Sequence, residues 1–214
     1  MRIEWLGHSA FKLTESTGTT LLTDPFDGDL VGYPMGDTGE IDVVTISHKH
    51  ADHNYLKGVS GDPLVINRQG AFEVAGVHIS SIATKHDDKN GELRGNNIIF
   101  KYRMDGVDVC HLGDIGEPCN INLIELIGSV DILLIPVGGN YTIDAEQAKE
   151  YVDLLMPDIV IPMHYKSKGV SIDIDKLDAF LKLFDDSDII YNNCPVDFDR
   201  TEFEGENTKV LVFV

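Results

Sequence analysis

Basic residues are scarce in this chain. Seventeen Lys and Arg stand against 36 Asp and Glu, a formal net charge of −19. A polyanion is gripped through Lys and Arg contacts to phosphate, so nucleic acid is excluded as the main partner; the acidity itself serves solubility. Cysteine is sparser still. Cys110, Cys119 and Cys194 form an odd set with no C-x-x-C pair, which argues against a disulfide framework and fits a reducing compartment. No run approaches the roughly 20 apolar residues of a membrane helix. Glu4 interrupts the N-terminal stretch where a secretion signal needs an unbroken apolar core. A cytoplasmic location without membrane contact is therefore expected. Linkers, low-complexity tracts and readable repeats are also missing, so residues 1–214 are expected to form one domain.

What is present is an ordinary globular composition, 43% hydrophobic and 25% charged, in a chain long enough to bury a proper core. Short apolar and β-branched runs at 2–6, 10–15, 19–23, 41–46, 63–66, 71–74, 78–83, 97–104 and 107–111 predict strands. Asp105-Gly106 between the last two is a hairpin signal. Residues 26–40 read as a long Gly- and Asp-rich loop, of a length that is often functional. Helices are predicted at 121–127, 145–156 and 175–184. Asp144 is a plausible N-cap for the second, with Gln147 completing a capping box. Leu177, Phe180, Leu181 and Phe184 give the third its core stripe. Strands at 131–136, 159–162, 188–191 and 209–214 accompany them, a mixed α/β pattern.

The chemistry concentrates in Ser47-His48-Lys49-His50-Ala51-Asp52-His53, directly after the apolar run at 41–46. If strand geometry continues a little way, His48 and His50 share a face, because side chains two apart point the same way. Asp52 and His53 then approach the same spot from the following turn. Three more candidates stand just past apolar strands, where α/β scaffolds gather functional groups: His86, Asp114 and His164. Together these are seven nitrogen or oxygen donors, the right number for two cations sharing one bridging carboxylate. A polar loop that merely happens to hold three imidazoles has little structural use.

The order H-x-H-x-D-H, a lone His, a Gly-Asp and a late His resembles the metallo-β-lactamase superfamily over nearly the whole chain. Shorter strings resemble the branch that includes L-ascorbate-6-phosphate lactonase: Trp5-Leu6-Gly7-His8-Ser9, His86-Asp87 through Arg94-Gly95-Asn96, His111-Leu112-Gly113-Asp114, Val137-Gly138-Gly139-Asn140-Tyr141-Thr142 and Ile161-Pro162-Met163-His164-Tyr165. The resemblance implies a four-layer αββα sandwich with the site along one edge of its two sheets. It implies His48, His50 and His86 on a first metal, Asp52, His53 and His164 on a second, and Asp114 bridging. Two cations about 3.5–4 Å apart can share a hydroxide, lowering the pKa of bound water from about 15.7 to roughly 7. Asp52 is the residue best placed to orient that nucleophile and shuttle its proton. Zn²⁺ is the first expectation for imidazole-rich ligation, with Mn²⁺, Fe²⁺ and Ni²⁺ as alternatives.

Lesser candidates carry two readings each. His8 either lines the site or occupies a surface turn. Asp24 either accepts the outer N–H of a ligand histidine or only starts a turn. His111 reads as a supporting or packing residue, and His78, inside a strand pattern, as structural. Tyr141 and Tyr165 either donate to a substrate oxygen or simply satisfy their own hydroxyls. Lys85, Lys89, Arg94 and Lys166 lie near ligand positions and either clamp an anionic group or solvate loops. The expected activity is hydrolysis of an ester-like bond, a lactone or phosphoester, in a small anionic substrate. A di-iron or mononuclear-iron redox enzyme of the same fold is the alternative. Against it, the di-iron electron-transfer members carry Glu where this chain has His50. A metal-binding regulatory protein without turnover is the third reading. Relatives of this kind often assemble, so a homo-oligomer is also expected.

Overall fold

The computed structural model describes residues 1–203 and 207–214. Its first sheet is built from β1 (Arg2–Gly7), β2 (Ala10–Thr14), β3 (Thr20–Thr23), β4 (Val43–Thr45) and β5 (Leu64–Ile66). The second contains β6 (Ala71–Val74), β7 (Val77–Lys85), β8 (Asn96–Met104), β9 (Val107–His111), β10 (Ile132–Pro136) and β11 (Ile159–Met163). Of the remaining strands, β12 (Ile189–Asn192), β13 (Val196–Asp197) and β14 (Lys209–Phe213), the short β13 returns to the first sheet beside β1. The sheet orders are β13-β1-β2-β3-β4-β5 and β12-β14-β11-β10-β9-β8-β7-β6.

Period-two alternation divides each central strand between two cores. Leu21 of β3 and Val43 of β4 face inward between the sheets, while Leu22 and Val44 face outward. On the second sheet Ile132 and Leu134 of β10 meet them, and Leu133 and Ile135 point to the opposite side. There they pack under α2 (Ile121–Ile127) and α3 (Ala145–Leu155) through Leu123, Ala148 and Val152. The outer face of the first sheet is covered more thinly, by Phe26, Val31 and Ile41. This is the expected metallo-β-lactamase sandwich, with few helices.

Strand direction places the site. β1 and β3 each run antiparallel to β2, and β4 is parallel to β3. The C-terminal ends of β1, β3 and β4 therefore share one edge of their sheet. β7 and β9 both run antiparallel to β8, and β10 and β11 are parallel to β9. Those four also end together. The residues just past these ends are His8, Asp24, the 47–53 cluster, His86, Asp114 and His164.

Three expectations are corrected, and one strand is new. The apolar run at 41–46 forms strand only over Val43–Thr45. The expected loop at 26–40 contains a short helix, α1 (Gly28–Val31), capped by the Asp27 side chain; four residues are too few for periodicity to register. The helix expected at 175–184 contracts to α4 (Asp178–Leu181): Asp175 is tied by backbone bonds to Gly138 and Lys166, and at Leu183 and Phe184 the bonds tighten to i→i−3 turns. β13 was not read from the sequence, since a two-residue strand is defined only by its pairing with Arg2 and Ile3. The Asp144–Gln147 capping box is present as expected.

Candidate metal centre

The histidine string lies on a loop, not on a continued strand. Residues 47–53 follow β4 as bends and turns, and the His53 N–H returns to the His50 carbonyl at 3.0 Å. The His48 and His50 rings still meet, with centroids 4.7 Å apart, and His86 closes on them at 4.6 and 5.0 Å. The expected neighbours come together, but a turn brings them, not the pleat.

Asp114 is the focus. Its Oδ2 lies 3.2 Å from His53 Nε2, 3.3 Å from His164 Nε2, 3.4 Å from His86 Nε2 and 3.8 Å from His48 Nε2. Gly113 and Asn97 put it there: the Asp114 N–H donates to Asn97 Oδ1 at 3.0 Å, and Gly113 adopts a φ of +58°. A Cβ on Gly113 would come 2.4 Å from Asn97 Oδ1 and 2.6 Å from Ser47 Cβ. Gly113→Ala therefore combines a left-handed backbone with overpacking and should cost roughly 2–4 kcal/mol of stability, read from denaturant unfolding.

Asp24 and Ser47 orient the rings from behind. The buried Asp24 carboxylate accepts from the Ser47 N–H at 2.7 Å, the Ser47 hydroxyl at 2.5 Å and His53 Nδ1 at 2.9 Å. Because the Ser47 hydroxyl is donated to Asp24, it is left to accept from His48 Nδ1, at 2.9 Å. Both rings thus engage through Nδ1 and turn Nε2 toward Asp114, the orientation that metal-bound imidazoles take. His48 Nε2, His53 Nε2 and Asp114 Oδ1 are buried without a hydrogen-bond partner, as are the Nδ1 atoms of His8, His86 and His164. Buried polar atoms are rarely orphaned, and the three that face the cluster centre, His48 Nε2, His53 Nε2 and Asp114 Oδ1, fit a cationic occupant.

The charges carry the same message. Burial opposes ionisation of Asp114, yet His164 and His53 hold its carboxyl well below the usual carboxylate range. Burial would depress His53, yet Asp114, Asp24 and Asp52 raise it well above the ordinary imidazole range. His48, with burial and the neighbouring His53 against it, falls to about 3.

Two clusters have their donor atoms close enough together to hold an ion, His48-His50-His86 and His8-Asp52-His53-His164. The second includes His8, a buried ring whose Nε2 lies 3.4 Å from Asp52 Oδ2. His8 is not in a surface turn. Its N–H donates to the Tyr33 hydroxyl at 2.7 Å and its carbonyl accepts from Trp5 Nε1 at 3.1 Å. A third triplet, Asp24-His48-His53, has the same proximity, but the hydrogen bonds above occupy its inner face.

The remaining candidates separate. His111 is buried between the Ser9 carbonyl at 3.0 Å and the Gly113 N–H at 3.1 Å, a backbone brace. His78 is exposed beside Glu73, away from the cluster. Tyr165 stacks on Trp5 at 5.7 Å and does not line the central cavity, whereas Tyr141 does. Lys85 binds Asn96, Lys89 pairs with Asp88, and Lys166 donates to the Ile172 carbonyl. Of the four basic candidates only Arg94 reaches the cavity. That cavity holds about 640 Å³ over His50, Asp52, His86, Asp114 and His164, walled by Leu30 and Ile172. Sequence reading missed Ser47, Asn97 and the two apolar wall residues. Ser47 stood inside the histidine string, but nothing local marks the other three.

A β-lactamase superfamily domain matches residues 2–164, ending on His164. The chain is 33% identical over 192 residues to a UPF0173 metal-dependent hydrolase of Methanoculleus marisnigri, covering 77% of this chain and 81% of that one. It is 31% identical over 198 residues to one of Thermococcus onnurineus, covering 78% and 85%. Among solved structures it is similar to a candidate Zn-dependent hydrolase of the metallo-β-lactamase superfamily from Thermotoga maritima. That match has a TM-score of 0.79 and 40% identity, covering 99% of this chain and 97% of that one.

Proposed function

The chain belongs to the metallo-β-lactamase superfamily, and from that premise we propose that it is a hydrolase with a two-cation centre cleaving an ester-like bond, a lactone or phosphoester, in a small molecule. The whole chain serves as one catalytic domain. The observation that carries this reading is the ring of four Nε2 atoms within 3.8 Å of one Asp114 oxygen. A single carboxylate so surrounded is suited to being shared. His48, His50 and His86 would hold one cation, Asp52, His53 and His164 the other, with Asp114 between them. The donor chemistry favours Zn²⁺, and Mn²⁺, Fe²⁺ or Ni²⁺ would also be accepted.

The cations, when bound, supply a water nucleophile at neutral pH and Lewis acidity for the bond being broken. The residues supply the order. Asp24 fixes the His53 tautomer and Ser47 that of His48. Asp52 is partly exposed to the cavity, and despite its burial the His53 and His8 imidazoles keep its carboxyl well below the usual range. It is therefore ionised at neutral pH and able to accept a hydrogen bond from water, orienting it and relaying its proton without retaining it. Leu30 and Ile172 shed water from the substrate's body, and a volume of about 640 Å³ suits a metabolite.

Asp24→Asn places an NH2 group against the donors of Ser47 and His53. It should weaken binding of the cation on His53 by about 10- to 100-fold, measured by competition with a chromophoric chelator. The hydrolase reading itself is tested with Zn²⁺- or Mn²⁺-loaded protein on a lactone, a thioester, a phosphomonoester and a phosphodiester. Turnover of at least one class, abolished by chelation and restored by metal, is expected. Metal-loaded protein inert toward all four, or turnover indifferent to the chelator, would refute it.

A further inference from the structure

We infer that Arg94 is the anchor for an oxyanion, a carboxylate or phosphate group, carried by the substrate of this site. The inference rests on the hydrolase reading for the word substrate, and on its own geometry for the rest.

Arg94 is presented by a loop built for rigidity. Asp87, next to His86, accepts four backbone N–H groups, from Lys89 and Gly91 on Oδ1 and from Leu93 and Arg94 on Oδ2, at 2.7–3.0 Å. One carboxylate thus closes the whole turn that leads from β7 back to β8. At its end the Arg94 guanidinium stacks over the Tyr141 ring, 5.1 Å from the centroid, and Nη2 donates to the Asn140 carbonyl at 3.3 Å. Asn140 in turn donates through Nδ2 to the Asp173 carbonyl at 2.7 Å. Three loops are tied in series around the cavity mouth, and Arg94 is the cation at their junction.

That cation is underused. A guanidinium has five N–H donors in a planar fork, and Arg94 makes no ion pair with any acidic side chain among the described residues. Arg68, stacked on Phe72, is also without an ion pair, but only Arg94 among the arginines lines the cavity over the histidines. Asp173 lines the same cavity, but it engages Asn140 through its backbone and forms no bridge to Arg94. The aromatic face fixes the plane of the fork and leaves an edge free, an arrangement that receives planar or tetrahedral oxyanions through paired hydrogen bonds. With divalent cations held by the histidines, the cavity becomes positive at its floor as well as at its mouth. A neutral substrate would gain nothing from the Arg94 end. Leu30 and Ile172 between the charged ends suit an apolar body.

The test is calorimetric titration of metal-loaded wild type, R94Q and R94K with phenylphosphonate, phenylacetate and neutral phenylacetamide. Wild type should prefer at least one anion over the amide, and which anion wins distinguishes phosphate from carboxylate recognition. R94Q should bind that anion about 10- to 100-fold more weakly, and R94K should recover part of the loss but not the paired geometry. Anion binding by R94Q within about twofold of wild type, or a wild type indifferent to charge, overturns the inference. Anion preference without hydrolysis in the ester panel would sink the hydrolase and spare Arg94. Hydrolysis with an unaffected R94Q would do the reverse.

Discussion

Asp52→Ala is expected to lower hydrolysis by about three to four orders of magnitude while leaving the fold intact. The side chain is at once a proposed ligand and the proposed proton relay. Its Oδ2 lies 3.6 Å from His53 Nε2 and 3.4 Å from His8 Nε2, facing the cavity. Removal leaves no other carboxylate in that position, since Asp114 is turned into the ring of imidazoles and Asp24 is behind it. The cost to stability should be small, because Asp52 is on a turn and packs in none of the three hydrophobic cores. Unfolding curves for wild type and variant in chelator should therefore nearly coincide while the rates do not. Activity surviving at the wild-type rate would remove Asp52 from the mechanism.

Asp114→Ala should do more. On the proposed reading both cations lean on this one carboxylate, so the variant should lose both, and not merely the second. Thermal unfolding reads this without any substrate. A ligand that binds only the folded state stabilises it by about 2.7 kcal/mol at a hundredfold excess over its dissociation constant. Wild-type protein should melt at a higher temperature as Zn²⁺ is added, whereas Asp114→Ala should not respond. A variant with the full wild-type metal response would show that the cations bind elsewhere. Metal analysis of the two proteins gives the same answer by composition.

The sequence carried much of this because strand ends are legible: an apolar β-branched run followed by a polar residue of rare type is visible without a structure. His86, Asp114 and His164 stand out that way, and they share an edge because β9, β10 and β11 are parallel and β7 regains their direction through two antiparallel steps across β8. Strand alternation predicts a shared face for His48 and His50, but β4 stops at Thr45 and a turn juxtaposes the rings instead. His8 and Asp24 each had two readings. Local sequence could not separate them, because burial against a distant loop decides both. Leu30 and Ile172, the cavity walls, are 142 positions apart, joined where the Ser171 hydroxyl donates to the Leu30 carbonyl at 2.6 Å. Pairings of that range leave no local trace. Nothing local gives Asp87 its role, since the four backbone N–H groups converge on it only once the turn is closed.

Anomalous diffraction from crystals of the Zn²⁺-loaded protein tests the central claim most directly. Two peaks per chain are predicted, one among His48, His50 and His86, the other among Asp52, His53 and His164, with Asp114 touching both. A single peak, or zinc bound away from Asp114, would contradict it.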